Sequence, residues 1–392
     1  MTASTKSHGL DGSLVEPDWP PLTLVELRPL LERFPSLGYP LRIETASPRP
    51  FSAAGVVATT AARVFIKRHH RGVRNREGLI EEHRYLDHLF SQGAAVPRVL
   101  ASESGETAIS IGEWTYEIHK IPAGVDLYRD AQSWTPFRCA EHARSAGVAL
   151  ARLHLAAWDF AAPARKARPL VASFSIFAAG DPSSAMRRYL AVHPSLAGHN
   201  QVRICAEQAL DLLAPFHAEL VPFLPSLAPL WTHNDLHASN LFWSDAGPDA
   251  RFTAVIDFGL ADRTNAVHDF AHAIERNIVE WLTLVQNANQ CPAVHFDHLY
   301  ALLDGYESVR LLSHGEAAAL APMTALCHAE FALSEADYFL GLLHSEEKAA
   351  MAYDGWLVGH ACWFRGAGQK LLDALRRWAD VRDGRPEGDA AR

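Results

Sequence analysis

The five cysteines, Cys139, Cys205, Cys291, Cys327 and Cys362, are scattered, odd in number and free of any CxxC pair. That speaks against a disulfide framework or a zinc ribbon and fits a reducing cytoplasm. Residues 1–20 lack the basic-then-apolar run of a secretory signal. The longest apolar stretch, 220–231, is broken by Pro222, Pro225 and Pro229 and is too short to span a bilayer. Positive charge is also short: the formal net charge is −9, which argues against holding a nucleic-acid backbone through a general field. The expectation is a soluble, cytoplasmic protein without membrane or nucleic-acid partners. Oligomeric state is left open.

With 48 % apolar and 21 % charged residues, the 392-residue chain can build its own core. It contains no internal repeat and no low-complexity tract. Residues 1–40 read as a loose polar arm followed by a short helix over 23–34. Segments 41–45, 55–60 and 62–67 are short and rich in Val, Ile, Thr or Phe, as strands are. A helical pattern follows over 76–91, with Leu79, Leu86, Leu89 and Phe90 on one face. Strands are expected to begin again at 96–100 and to recur at 107–111 and 114–121. After Gly124 the pattern is helical (140–158, 183–192, 202–216), except for a β island at 231–235, 241–243 and 254–256. The fold class is therefore α+β: a small β-rich lobe over 41–124, a larger helical lobe over 125–392, and a cleft between them.

The strongest chemical signal is His233-x-Asp235-x4-Asn240, followed seventeen residues later by Asp257-Phe258-Gly259. Phosphoryl transfer needs one carboxylate facing the incoming hydroxyl, and a neutral oxygen plus a second carboxylate on Mg²⁺. These residues resemble the catalytic and metal-binding loops of the kinase superfamily. The likeness is to its aminoglycoside/choline/homoserine phosphotransferase branch, which carries His-x-Asp in place of His-Arg-Asp. It extends over roughly 41–363. It implies a bilobal protein-kinase-like fold, ATP and Mg²⁺ as cofactors, Asp235 as catalytic base, Asn240 and Asp257 as metal ligands, and His233 as a prop for Asp235. Asp269, in Asp-Phe-Ala-His twelve residues after Asp257, matches the branch's brace for the catalytic loop.

Upstream, Lys67 ends a strand and Glu82 lies fifteen residues on, in a helix. A kinase needs a lysine on the α- and β-phosphates and a glutamate to hold it. Glu81 competes with Glu82 for that part. The stretch Ile118-His119-Lys120-Ile121-Pro122-Ala123-Gly124 resembles the strand leaving the small lobe, whose backbone at His119 and Ile121 would meet adenine. No Gly-x-Gly-x-x-Gly covers the phosphates. Its place is taken by 47–55 with a single glycine, where Ser52 and Gly55 are the candidate contacts. No Ala-Pro-Glu follows Asp257, which weighs against a protein kinase with a phosphorylated activation segment. His154 sits on an apolar helix face and is read as structural. Cys291-x3-His295-x2-His298 is read as a loop before a helix, not a metal site.

Between 265 and 340 stand ten acids against Arg276 and Arg310. Such a wall would favour a cationic small-molecule acceptor, with Glu275, Glu330, Glu335 and Asp337 as candidate contacts. Stretch 79–100 and the glycine-poor cover resemble homoserine-kinase-like and stress-response-kinase-like members more than the resistance enzymes. Two other classes stay open: a protein Ser/Thr kinase on the same fold, and a nucleotide-binding pseudokinase. A pseudokinase normally lacks one of Lys67, Asp235, Asn240 or Asp257, and none is missing.

Overall fold

In the computed structural model, which describes residues 6–166, 168–286 and 291–383, the first elements are a two-stranded antiparallel hairpin, β1 (Ser7–His8) and β2 (Leu14–Val15). The expected loose arm is instead docked. Asp18 accepts from Tyr338 at 3.1 Å and pairs with Lys348, and Trp19 stacks on His70 with ring centroids 4.8 Å apart. Tyr338 and Lys348 lie 320 and 330 residues from Asp18, and His70 lies 51 from Trp19, so no local pattern announces them.

Helix α1 (Leu24–Leu31) begins at Thr23, whose side chain accepts from the Glu26 N–H while Glu26 accepts from the Thr23 N–H. Its Leu27, Leu30 and Leu31 share one core with the sheet. That sheet comprises β3 (Pro40–Ala46), β4 (Ala53–Thr59) and β5 (Arg63–His70), then, beyond α2 (Arg76–Ser91), β6 (Ile109–Ile111) and β7 (Trp114–Lys120). Its strands are all antiparallel, in the order β3-β4-β5-β7-β6. The strand expected over 96–100 reduces to one bridge, Val99 to His119, flanked by the bonds Leu100 N–H to Ile118 carbonyl (2.8 Å) and Lys120 N–H to Arg98 carbonyl (2.9 Å); Pro97 has no N–H with which to extend it. Phe90 is exposed, not on the buried face of α2, and Arg98 lies 4.9 Å over its ring.

The helical lobe contains α3 (Ala140–Ala156), α4 (Pro182–Ala191), α5 (Pro194–Ala197) and α6 (Asn200–Leu220). Two antiparallel pairs follow from β8 (Pro229–Thr232), β9 (Leu241–Trp243), β10 (Phe252–Val255) and β11 (Asp262–Asn265). Then come α7 (Ala266–Ile278), α8 (Leu282–Gln286), α9 (Phe296–Glu307), α10 (His314–Leu326), α11 (His328–Gly341), α12 (Glu346–Ala350), α13 (Gly359–Arg365) and α14 (Gln369–Asp383). Helices α3 and α9 cross at backbone contact. A Cβ at Gly147 would sit 2.1 Å from the Leu302 carbonyl, and one at Gly305 would sit 2.0 Å from that of Arg144. No helix among the described residues is long and apolar enough to cross a membrane.

Candidate active site

β8 pairs with β11 and β9 with β10, so the loop leaving β8 and the loop leaving β10 are held side by side. One backbone bond joins them directly, Ile256 N–H to Asn240 carbonyl at 2.9 Å. His233 does the rest. Its Nε2 donates to the Ile256 carbonyl at 2.9 Å, which leaves Nδ1 to accept the Asp235 N–H at 3.1 Å. The imidazole thus spans the two loops and sets the turn on which Asp235 stands. Both turns demand a left-handed residue, Asn234 at φ 59° and Asp257 at φ 59°, a conformation costing about 1–3 kcal/mol for a non-glycine.

Asp269, at the start of α7, offsets that cost. It accepts from the His233 N–H at 2.9 Å and the Asn234 N–H at 2.7 Å. His154 donates to it at 3.0 Å and is fixed in turn by Tyr306 at 2.7 Å. Burial pushes the Asp269 carboxyl up, but the His154 hydrogen bond and charge and the His233 N–H hold it below its ordinary value. Replacing Asp269 by Ala strips a buried set of donors of their acceptor. The expected result is a loss of about 3–5 kcal/mol in denaturant unfolding. A loss under 1 kcal/mol would remove Asp269 from this bracing role.

Asp235 Oδ2 accepts from the Asn240 amide at 3.2 Å, and the Asp235 carbonyl accepts from the same nitrogen at 2.9 Å. Oδ1 is ion-paired to Arg276, a fully buried arginine on α7. No residue pattern pointed to Arg276, because its target lies forty-one residues back and its own helix reads as acidic. His237 stands 3.8 Å from Asp235, and burial together with the Arg49 charge holds its pKa down to about 3. It is therefore a poor competitor for the role of base.

Lys67 on β5 reaches Asp257 Oδ1 at 2.8 Å. The expected pairing of Lys67 with Glu82 is corrected: Glu82 binds Arg165 at 3.3 Å, both side chains being buried. Arg165 also donates to the carbonyls of Gly78, Gly259 and Ala261, and Arg74 donates to that of Gly259 at 2.7 Å. A dry guanidinium requires a carboxylate more than Lys67 does, since Lys67 already has Asp257. Glu82 therefore steadies the segment after Asp257 through Arg165. Glu81 lies against the Lys166 N–H at 3.3 Å and also misses Lys67.

Two clefts meet at this point. One, of about 1090 Å³, is lined by Ser52, Gly55, Lys67, Glu82, His119, Ile121, Asn240 and Asp257. Gly55 lets β4 approach β3 there, for a Cβ would meet the Thr45 carbonyl at 2.2 Å. The other, of about 1020 Å³, is lined by Asp235, His237, Trp134, Phe51, Phe331 and Glu335. Arg49, Ser52, Lys67, Asn240 and Asp257 line both. Arg49 was not singled out in the sequence. It comes from the 47–55 cover and donates to Ala131 O at 3.1 Å and to the neutral His8 Nδ1 at 2.8 Å.

Of the four acids expected to face an acceptor, Glu335 alone lines the second cleft. Glu330 is consumed by Ser173, Ser175 and the Ile176 N–H, Asp337 is hydrogen-bonded by Ser195, and Glu275 is sealed inside the lobe. Glu275 lies on α7, which is buried on every side, while Glu330 and Asp337, on α11, are turned to the donors of residues 173–176 and of Ser195.

A divalent metal fits the loop residues. Asn240 spends its amide nitrogen on Asp235, leaving its oxygen as a ligand. Asp257 receives Lys67 and the Gly259 N–H (3.4 Å) on Oδ1, leaving Oδ2. One neutral and one anionic hard oxygen suit Mg²⁺. Cys291 does not join the His295–Asp297–His298 group, and His295 is instead 2.9 Å from Glu280.

Residues 51–312 match the phosphotransferase enzyme family. A homoserine kinase of Xanthobacter autotrophicus is 27 % identical over 244 residues, covering 60 % of this chain. The alignment spans 61 % of that relative's own length. A microcompartment-associated aminopropanol kinase superposes with a TM-score of 0.56 at 17 % identity, over 90 % of this chain and 99 % of that one. An amicoumacin kinase in complex with AMP-PNP and Ca²⁺ gives 0.51 at 12 % identity, over 91 % and 95 %. At such identities these structures share the bilobal fold.

Proposed function

Since the chain belongs to the phosphotransferase enzyme family, we propose that it moves the γ-phosphoryl group of ATP to a hydroxyl of a small, amine-bearing molecule. One observation carries the reading. Lys67, Asn240 and Asp257 line both clefts, whereas Asp235 lines only the second, so a phosphoryl group at the shared wall would have Asp235 on its far side. ATP would lie in the first cleft, with Lys67 passing from Asp257 to the α- and β-phosphates. Mg²⁺, held by Asn240 and Asp257, would supply charge neutralisation on the phosphate oxygens. Asp235 would orient the acceptor hydroxyl and take its proton; because phosphoryl transfer proceeds through a loose transition state, positioning outweighs basicity. Arg276 and Asn240 hold the two carboxylate oxygens ready for that task.

The amine rests on Glu335. Its Oε2 is buried in the acceptor cleft and has no hydrogen-bond partner among the described residues, so a ligand ammonium would satisfy it. Homoserine and aminopropanol, named for the relatives above, are both amine-bearing alcohols. Residues Gly9, Leu10 and Phe51 also line this cleft, which favours a small acceptor over a protein surface.

Burial pushes the Glu335 carboxyl up to about 8, against a partial offset from Arg276. Its charged form is therefore gained as pH rises through that value. Acceptor KM is expected to fall as pH is raised from about 6.5 to about 8.5, by up to roughly tenfold per unit. In Glu335→Gln this slope should vanish and KM rise roughly ten- to hundredfold, the loss of a charged hydrogen bond of about 1.5–3 kcal/mol. ATP KM should stay put. A flat wild-type profile with an unchanged KM in the variant would make the acceptor neutral or anionic.

A further inference from the structure

Behind Arg276 lies a cluster that the proposed reaction does not use. It gathers His272 and Glu275 from α7, Cys327 and His328 at the junction of α10 and α11, and His360 from α13. Each is at most 3 % exposed. Both oxygens of Glu275 and both ring nitrogens of His272, His328 and His360 lack a hydrogen-bond partner among the described residues. Buried polar atoms are almost always paired, and eight orphans in one place call for a missing partner.

The spacing says what kind. His328 Nδ1 is 3.6 Å and His360 Nδ1 is 3.4 Å from the same Glu275 Oε1. The first gap is too long for a hydrogen bond, and neither contact makes one. They match the edge of a tetrahedron: nitrogen and oxygen ligands about 2.0–2.1 Å from zinc stand about 3.3–3.4 Å apart. His272 and Cys327 group with Glu275 as well, every ligand atom lying within 4.8 Å of the others in its group. Burial holds His328 and His360 neutral, the form that ligates.

A second cluster of the same residue types shows the contrast. In the small lobe His69, His83 and His119 each stand 2.8–2.9 Å from a carboxylate oxygen of Glu117. Those are ordinary hydrogen bonds, so that group is complete without an ion.

We propose that Glu275, His328 and His360 bind a structural Zn²⁺, with His272 or Cys327 as the fourth ligand. Nitrogen, carboxylate and thiol donors in a closed tetrahedral cage are zinc chemistry, distinct from the hard-oxygen set at Asn240 and Asp257. The ion would tie α7, the head of α11 and α13 together. Trp281 already packs on His360, with centroids 3.7 Å apart, and donates to the Glu275 carbonyl at 2.7 Å. Glu275 also stands 3.8 Å from Arg276, so the ion would steady the helix segment that presents the guanidinium to Asp235. Nothing in this proposal depends on the acceptor or on turnover.

The test is metal content of the full chain, stripped with chelator, reloaded with Zn²⁺ and gel-filtered. About one equivalent should be retained per chain. Reloading with Co²⁺ should give the intense visible absorption of tetrahedral cobalt, with a thiolate charge-transfer band if Cys327 is the fourth ligand and none if it is His272. His360→Ala and Glu275→Gln should each weaken zinc retention at least about tenfold, and His83→Ala should leave it unchanged. If either cluster variant fails to fold, the wild-type stoichiometry and cobalt spectrum decide. No retained zinc, a weak octahedral cobalt spectrum, or full retention in His360→Ala would overturn the site.

Discussion

Asp235→Asn is expected to lower kcat by about 10²–10⁴, the range for losing a positioned proton acceptor. The substitution keeps the shape, so Asn240 can still donate to the new side-chain oxygen. What goes is the negative charge to which the proposed reaction gives the orienting of the hydroxyl and the taking of its proton. Nucleotide affinity should hold within a few-fold, since Asp235 does not line the cleft of Gly55, Glu82 and His119 in which ATP is proposed to lie. Kinetically that is a fall in kcat with little change in ATP KM. The variant also leaves Arg276 with a weaker partner inside the protein, so some stability loss should accompany it. Thermal unfolding measured beside the rate separates the two effects. Turnover within a few-fold of wild type in a folded variant would remove Asp235 from the chemistry.

The second large effect concerns the metal. Asp257→Ala should weaken Mg²⁺-dependent binding of a non-hydrolysable ATP analogue by about two orders of magnitude or more, and Asn240→Ala by about one, because charge dominates Mg²⁺ affinity. Asp257 carries a further burden: it is the direct partner of Lys67. Burial pushes its carboxyl up, but the charge and hydrogen bond of Lys67 outweigh burial and hold it well below the ordinary range. With a depressed pKa the group stays ionised down through mildly acid pH, and its contribution would be lost only as pH falls through that low value. Nucleotide binding should therefore not weaken between about pH 8 and about pH 5 on account of Asp257. Calorimetric titration of Mg²⁺ into the variants checks the order. Equal losses, or a larger one at Asn240, would reverse the assigned weights.

The parts of the site that a reader could see in the sequence are those whose chemistry is local. His233, Asp235 and Asn240 occupy one loop of eight residues, and their mutual bonds are short-range. Asp257 and Asp269 follow within a single hairpin-and-helix span. Lys67 was legible as the strand lysine, but its partner was not. The choice between Glu82 and Asp257 depended on Arg165, in a basic loop that resembles solvent-exposed chain. Arg276 and Arg49 were missed for the same reason: each is a cation whose partner is fixed by tertiary packing. β11 escaped notice because Asp262-Arg263-Thr264-Asn265 lacks any apolar alternation; the strand is held by its pairing to β8. The acids of 265–340 misled in the opposite way. They read as a wall facing an acceptor, yet Glu275 is sealed within the buried α7, Glu330 is taken up by Ser173, Ser175 and the Ile176 N–H, and Asp337 by Ser195.

The central claim, transfer of the ATP γ-phosphoryl group to a small amine-bearing alcohol with Asp235 facing the hydroxyl, is tested most directly by following that phosphate. Purified wild type and Asp235→Asn would be given γ-labelled ATP·Mg²⁺ with homoserine, aminopropanol, choline, an aminoglycoside, methylthioribose or a generic protein acceptor. The account predicts label on one or more of the amine-bearing alcohols, in step with ADP release, and a loss of about 10²–10⁴ in the variant. Label confined to the protein acceptor or to inorganic phosphate, or transfer that survives in Asp235→Asn at the wild-type rate, would contradict it.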